Sequence, residues 1–235
     1  MSTRREELIN KMIALQANKD SWGLRRINEE YKLFSVMLSD EGWYIDYGTA
    51  VSTLSGLYLH QIHTNSKVLD DYMVKFYKEK IRKIILFFEQ HHQARYPILE
   101  KAFKAHKKKE FELSIPVMLT QIEGLFFDLT KKEIFSKGRG KNKDNTAKEW
   151  LDSKENNNIN FRLSILQPLK ENENITASFN EAKNFPNALN RNKILHGRDL
   201  NYSSELNSYK AISLLLFIGT IVYDVENDSD IINWI

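Results

Sequence analysis

Between Lys67 and His92 the chain passes through a full helix length without a glycine or proline. It carries an apolar series there at Leu69, Tyr72, Met73, Phe76, Tyr77, Ile81, Ile84, Ile85 and Phe88. Steps of three and four place these residues on one helix face, whereas a half-buried strand requires strict alternation. The same spacing links Leu8, Ile9, Met12, Ile13 and Leu15 between Glu6 and Gln16, and Ile27, Tyr31, Phe34 and Leu38 between Leu24 and Leu38. It returns after Pro116 at Met118, Leu119, Ile122, Phe126 and Leu129. With 9 Gly and 4 Pro in 235 residues, the chain lacks the turn residues a sandwich or barrel needs, and no alternating run is long enough to argue for a sheet. The expected fold class is all-α, a helical bundle with an N-terminal helical portion packed on it.

Local signals set the expected boundaries. Further helices are predicted over Ala50–His63, Ile98–Lys108 (after Pro97), Ala147–Ser153 and Ile159–Leu166. Gly42 should stop the second helix, and the connector Gly42-Trp43-Tyr44-Ile45-Asp46-Tyr47-Gly48 should fold onto the body. Pro116 suits a first-turn position, where its missing N–H costs nothing. Asn184 can cap a helix that has Pro186 in its first turn and runs through Leu189 and Leu195 to a stop at Gly197. Ser203 or Ser204 can cap a last helix, Glu205–Tyr223. Ser136 to Thr146 contains no apolar residue and reads as a loop, the best candidate for an internal boundary. One all-α domain over 1–235 is expected, the alternative being an N-terminal part, 1–110, and a core, 111–235.

Composition excludes several chemistries. There is no cysteine, hence no disulfide, thiolate zinc site or cysteine nucleophile. No Walker loop, dinucleotide fingerprint or serine elbow occurs. His60 and His63 share a helix face, and His91 and His92 follow Glu89, but neither set has a third ligand, so no metal and no cofactor are expected. Net charge is +3 and the isoelectric point about 8.8, which tolerates a polyanionic partner without demanding one. The apolar run Ala211–Tyr223 falls short of the roughly 20 residues of a membrane span and reads as a buried core helix. The first residues carry no signal-peptide core. A cytoplasmic protein with no membrane partner is expected.

The informative segment is Leu189-Asn190-Arg191-Asn192-Lys193-Ile194-Leu195-His196-Gly197. An arginine, a polar residue, three variable positions and a histidine lie in the penultimate helix, and a long apolar helix follows. Here the chain resembles the HEPN superfamily of ribonucleases. The likeness extends to Gly42-Trp43-Tyr44-Ile45, to Leu113–Leu119 with Gln121 and Gly124, and to Leu195-His196-Gly197 through Ser208–Ser213, as in a bacterial and phage group of that superfamily.

The resemblance implies a HEPN-like bundle and a metal-independent endoribonuclease in which Arg191, Asn192 and His196 are catalytic. It also implies a 2′,3′-cyclic phosphate product and a two-fold homodimer that brings two motifs together. A role in antiphage defence or as a toxin, with an antitoxin or defence-system partner, follows from the family's habits alone.

The residue types suit that chemistry. Asn192 and His196, four apart, project from one helix face. An imidazole can move protons at the 2′-hydroxyl or the 5′-oxygen, and the carbonyl end of a helix favours its cationic form. The planar guanidinium of Arg191 suits the phosphorane charge. The competing structural reading makes Arg191 a member of an ion pair and His196 a helix-end residue packed on Tyr202.

Supporting roles are expected for Tyr202, as a phosphate contact, an orienter of His196 or a plain aromatic staple. From the Pro116 helix Gln121 is preferred over Glu123 and Asp128. Lys137, Arg139, Lys141 and Lys143, together with Lys131 and Lys132, form a basic glycine-containing loop that can track RNA phosphates or simply be solvated. Lys101, Lys104, Lys107, Lys108 and Lys109 carry the same two readings. The last helix, apolar on nearly every side between Ile212 and Val222, is expected to face both its own core and a partner. The functional alternative is a non-catalytic helical module that binds RNA, a nucleotide or a protein.

Overall fold

The structure is a computed structural model. It describes residues 3–17, 23–46, 66–136, 146–154, 161–171 and 177–227, and all regular structure among them is helical. The predicted helix over Ala50–His63, with His60 and His63, lies outside the described residues, as do Lys137, Arg139, Lys141 and Lys143.

The elements in chain order are α1 (Arg4–Ala17), α2 (Leu24–Asp40), α3 (Ser66–His91), α4 (Tyr96–Lys107), α5 (Phe111–Thr130), α6 (Thr146–Lys154), α7 (Phe161–Ile165) and α8 (Gln167–Glu171). A 3₁₀ turn (Glu181–Asn184) and the short α9 (Arg191–Leu195) follow. The last long helix begins as α10 (Glu205–Phe217), passes through a π turn (Ile218–Val222) and ends as α11 (Tyr223–Asn227). Helix α10 is the axis of the fold: α5 and α3 pack against it, α4 packs against α5, and α9 leans on α5. Helix α2 meets α1 on one side and α7 and α8 on another. One buried cluster runs through these contacts, from Leu8 and Met12 to Ile221 and Val222.

Every residue from Ser208 to Val222 is buried within the chain. Glu205–Asn227 is long and apolar enough to cross a bilayer, but 89% of its most apolar window is covered by the protein itself. This fits the reading as a core helix and corrects the expectation that it also faces a partner. From Ser208 onward neighbouring helices and the connector after Gly42 cover it, so no apolar face is left there for a second chain.

Several helix ends follow the sequence signals. Gly42, with φ 85°, closes α2: its N–H donates to the Ser39 carbonyl, and that of Trp43 to Leu38. Trp43, Tyr44 and Ile45 are then buried, as the apolar connector predicts. Of the two serines before α10, Ser204 is the cap, accepting from the Asn207 N–H at 3.1 Å. Ser203 instead donates to the Glu112 carboxylate at 3.0 Å.

Two boundaries differ from the sequence expectation, each because a distant partner satisfies the backbone. Pro116 lies inside α5, not in its first turn, since the helix starts at Phe111. A proline there removes the N–H that would bond to the carbonyl four residues back, that of Glu112. The Tyr202 hydroxyl donates to that same carbonyl at 3.1 Å. Tyr202 thus fills the gap Pro116 leaves and fastens the turn before α10 onto α5. Tyr202→Phe should cost about 1 kcal/mol and lower Tm by a few degrees, which a thermal melt would read. An unchanged Tm would mean that water replaces the hydroxyl.

The second difference is the helix expected from Asn184 to Gly197, of which only Arg191–Leu195 is α-helical. The Asn187 carbonyl is taken by Lys210 Nζ at 2.6 Å, and the Ala188 Cα lies against Gly42, only 2.9 Å from where a Cβ there would sit. That docking holds 187–188 away from a helical path. Asn190, extended at φ −100° and ψ 101°, is the true cap: its side chain accepts from the Lys193 N–H at 2.8 Å.

Candidate functional site

The motif occupies a helix of five residues, fixed at both ends by its own sequence. At the start is the Asn190 cap. At the end is a complete Schellman closure, in which the Gly197 N–H donates to Ile194 and the Arg198 N–H to Lys193 at 2.7 Å. Gly197 adopts φ 64°, where a Cβ would be strained although nothing else crowds the position. With so few residues, α9 carries a far smaller summed dipole than the longer helix expected from the sequence.

Arg191 opens the helix and turns its guanidinium toward α5. One terminal nitrogen donates to Glu123 Oε2 at 2.5 Å, the other to Asn192 Oδ1 at 3.4 Å, and the group lies 5.1 Å from the centre of the Phe135 ring. Its Nε is buried with no hydrogen-bond partner among the described residues. The Arg191 and Glu123 side chains are 24% and 33% exposed, so the pair sits at the rim of the surface. A guanidinium has five N–H donors, and Glu123 and Asn192 take one from each terminal nitrogen. One N–H on each remains for a ligand.

Asn192 divides its side-chain amide, with Oδ1 facing Arg191 and Nδ2 turned to the turn after Ala177. Its Nδ2 donates to the Ala177 carbonyl at 3.2 Å, and Asn190 Nδ2 donates to the same carbonyl at 3.1 Å. Two amides therefore hold the turn after Ala177 against the motif. His196 is the C-cap residue of α9 and is exposed. Its backbone N–H bonds to the Asn192 carbonyl at 3.2 Å, and its imidazole has no hydrogen-bond partner among the described residues. Arg191 is thus held on three sides, while His196 is open to solvent.

The supporting residues divide. Tyr202 is engaged by α5, as described, and takes the part of a staple. Gln121 is not beside Arg191: it is nearly buried, and its Oε1 accepts from Arg95 at 3.1 Å. Arg95 also reaches Asp128 at 2.7 Å, crossing Gly124, where a Cβ would come within 2.3 Å of the guanidinium. Gln121, Gly124 and Asp128 share one face of α5, and Glu123 lies on the opposite face, toward Arg191. The polar residue of α5 that meets the motif is therefore Glu123.

Sequence reasoning gave no role to two further features. Lys210 is 1% exposed, donates to Asn187, lies 3.4 Å from Asp70 and sits over the Trp43 ring. Burial lowers its pKa and the Asp70 carboxylate opposes that shift. A lysine in an otherwise apolar run was the available signal. Lys210 and Arg191 line one small cavity with Gly42, Tyr44, Leu119, Phe135, Leu189 and Leu214, but its volume of about 10 Å³ holds no more than a water-sized group. The second feature is Phe179, 45% exposed in the turn after Ala177, with Lys193 Nζ 5.2 Å and Arg198 Cζ 4.9 Å from its ring centre.

The other histidines among the described residues are held inside the fold. His92 Nε2 lies 2.9 Å from the Gly219 carbonyl, His91 stacks on Phe87, and His106 Nδ1 lies 2.8 Å from Ser208 Oγ. Among the described residues no group of three or more histidines and carboxylates could hold a metal ion. Lys101, Lys104 and Lys108 border a shallow groove of about 340 Å³ with Leu113 and Val117, none of whose lining belongs to the motif.

The chain matches no protein-family model, and neither the curated proteins nor the solved structures contain a chain similar to it.

Proposed function

We propose that the protein is a metal-independent endoribonuclease of the HEPN type, with Arg191 and His196 as its working pair. The observation that carries this reading is their asymmetry on α9. The cation is oriented by Glu123 and Phe135 and keeps two N–H donors, while the imidazole five residues on is exposed and uncommitted.

In the proposed step a 2′-oxygen attacks the adjacent phosphorus. The P–O5′ bond breaks, leaving a 2′,3′-cyclic phosphate and a 5′-hydroxyl. An imidazole takes the 2′-hydroxyl proton or supplies one to the departing 5′-oxygen, and the guanidinium bears on the phosphorane charge. Water and the RNA supply everything the step needs, so it uses no metal or cofactor. Glu123 orients Arg191, and Asn192 acts as a positioning residue through Ala177.

One chain supplies one motif histidine, whereas two proton transfers are required. The proposal therefore includes a homodimer with two motifs at one phosphate. Since α10 is covered, the contact would lie at the turn after the motif, where Leu200 is 85% exposed. A cytoplasmic role in antiphage defence or as a toxin, with a silencing partner, belongs to the same proposal.

The alternative, a non-catalytic RNA-, nucleotide- or protein-binding module, draws on the Arg191–Glu123 ion pair, which would serve structure alone equally well. Purified protein incubated with total RNA in EDTA separates the two. Fragments that accumulate at the same rate with and without chelator support the enzyme. Intact RNA at every protein concentration supports the module. Cleavage that stops in EDTA and returns with magnesium would require carboxylates outside this site.

A further inference from the structure

We propose that Phe179, flanked by Lys193 and Arg198, is a stacking platform for an unpaired nucleobase of an RNA strand running past the motif. This rests on the proposed ribonuclease reading and names the form of its substrate.

Phe179 is exposed but fixed in place. It stands two residues beyond Ala177, which is 1% exposed and whose carbonyl accepts two side-chain amides, from Asn190 and Asn192. A carbonyl oxygen has two lone pairs, so that anchor is fully used. The ring is therefore tied to the two residues that flank Arg191. Its charged neighbours are fixed at their backbones too, since the Lys193 carbonyl accepts from the Arg198 N–H in the closure of α9.

An exposed flat apolar ring with two long-chain cations resting over it suits one kind of ligand best: a flat π-system joined to an anion, which takes the ring face while the cations move to its charge. Nucleobases stack on aromatic side chains with little regard to sequence, and lysine or arginine beside them takes the phosphates. The bases of a duplex are already stacked on one another, so only an unpaired base can lie on Phe179. Lys193 and Arg198, on partly and fully exposed side chains, can swing from the ring to a phosphate as the base arrives. Lys193 lies between Arg191 and His196 in the chain, which puts one of the two cations over Phe179 within one helical turn of the proposed working pair. A base held there fixes the position of its neighbouring phosphate.

The test uses full-length His196→Ala protein, so that RNA stays intact, and a fluorescent single-stranded oligoribonucleotide alongside the same sequence as a duplex. Phe179→Leu in that background should weaken binding of the single strand about tenfold, equivalent to ~1.4 kcal/mol, and leave duplex binding unchanged. Phe179→Trp should restore or exceed the parent affinity. Lys193→Ala should reduce the salt dependence of single-strand binding by about 0.7 in log–log slope, the share of one phosphate contact.

If Phe179→Leu binds the single strand as tightly as its parent, or loses single strand and duplex alike, the platform is refuted. If single-strand binding depends on Phe179 but the unmutated protein cleaves no RNA, the platform stands and the ribonuclease reading falls. If the unmutated protein cleaves and Phe179→Leu binds normally, the reverse holds.

Discussion

His196→Ala is expected to lower the rate of RNA cleavage by roughly 10²- to 10⁴-fold, the range associated with one general acid or base. It should leave the melting temperature within a degree or two. The side chain is exposed and makes no hydrogen bond to a described residue, so nothing among the described residues depends on it. Arg191→Lys should be comparably impaired in rate, because an ammonium keeps the charge but cannot hold Glu123 and Asn192 while presenting two further donors in one plane.

Arg191→Ala has a structural cost as well. It leaves Glu123 without its guanidinium partner and strips the cover from Phe135, so its melting curve must be read beside its activity. Mixing Arg191→Ala subunits with His196→Ala subunits then addresses assembly. Partial recovery of cleavage is expected if one phosphate is served by two chains, and no recovery is expected from sites that are complete in each chain. His196→Ala that cleaves as fast as its parent would remove the histidine from the mechanism.

The second large effect concerns stability in acid. His92 and His106 are both pushed down to about 4, in each case first by burial. For His92 the Gly219 carbonyl opposes the shift, with His91 and Arg95 adding to it. For His106 Glu205 opposes and Lys107 adds. An imidazole in the unfolded chain titrates near 6.5, so between about pH 6.5 and 4 the unfolded state binds more protons and stability falls as pH falls. By pH 5 the loss is about 2 kcal/mol for each histidine, a large share of the 5–15 kcal/mol typical of a folded domain. For a chain of this size the two together correspond to roughly a 10 °C drop in Tm between pH 7 and pH 5. Replacing both, as His92→Gln with His106→Gln, should flatten that profile whatever it does to Tm at pH 7. A melting temperature that does not change between pH 7 and 5 in the unmutated protein would contradict the buried, neutral state of these rings.

The sequence made the all-helical class legible because apolar spacing reports local geometry directly. Helices α1, α2 and α3 and the stops at Gly42 and Gly197 carry local signals, and the connector after Gly42 was marked by its apolar residues although distant partners such as Asp70, Tyr77 and Ser213 hold it. The errors have the opposite character. Pro116 looked like a helix start because its lost hydrogen bond had no visible remedy, and the remedy is Tyr202, far along the chain. Asn184 looked like a cap because the docking of Asn187 onto Lys210 is equally remote.

Within the candidate site, Arg191, Asn192 and His196 were marked by residue type and spacing, but their surroundings were not. Gln121 and Glu123 are both polar residues on α5, and only the packing of α9 on its Glu123 face distinguishes them. Phe179 carried no signal, since an aromatic in a polar stretch usually ends up buried. The apolar last helix suggested a partner, but its own chain covers it completely from Ser208 to Val222.

The claim that the Arg191–His196 site cuts RNA through the 2′-hydroxyl is tested most directly by the ends of the fragments. The assay takes a single-stranded oligoribonucleotide with one preferred cleavage position and its counterpart carrying a single 2′-deoxy sugar there, both in EDTA. The expected result is a 2′,3′-cyclic phosphate on the upstream fragment, a 5′-hydroxyl on the downstream one, and no cleavage at the deoxy position. Fragments with a 3′-hydroxyl and a 5′-phosphate, or equal cleavage of the deoxy substrate, would contradict it.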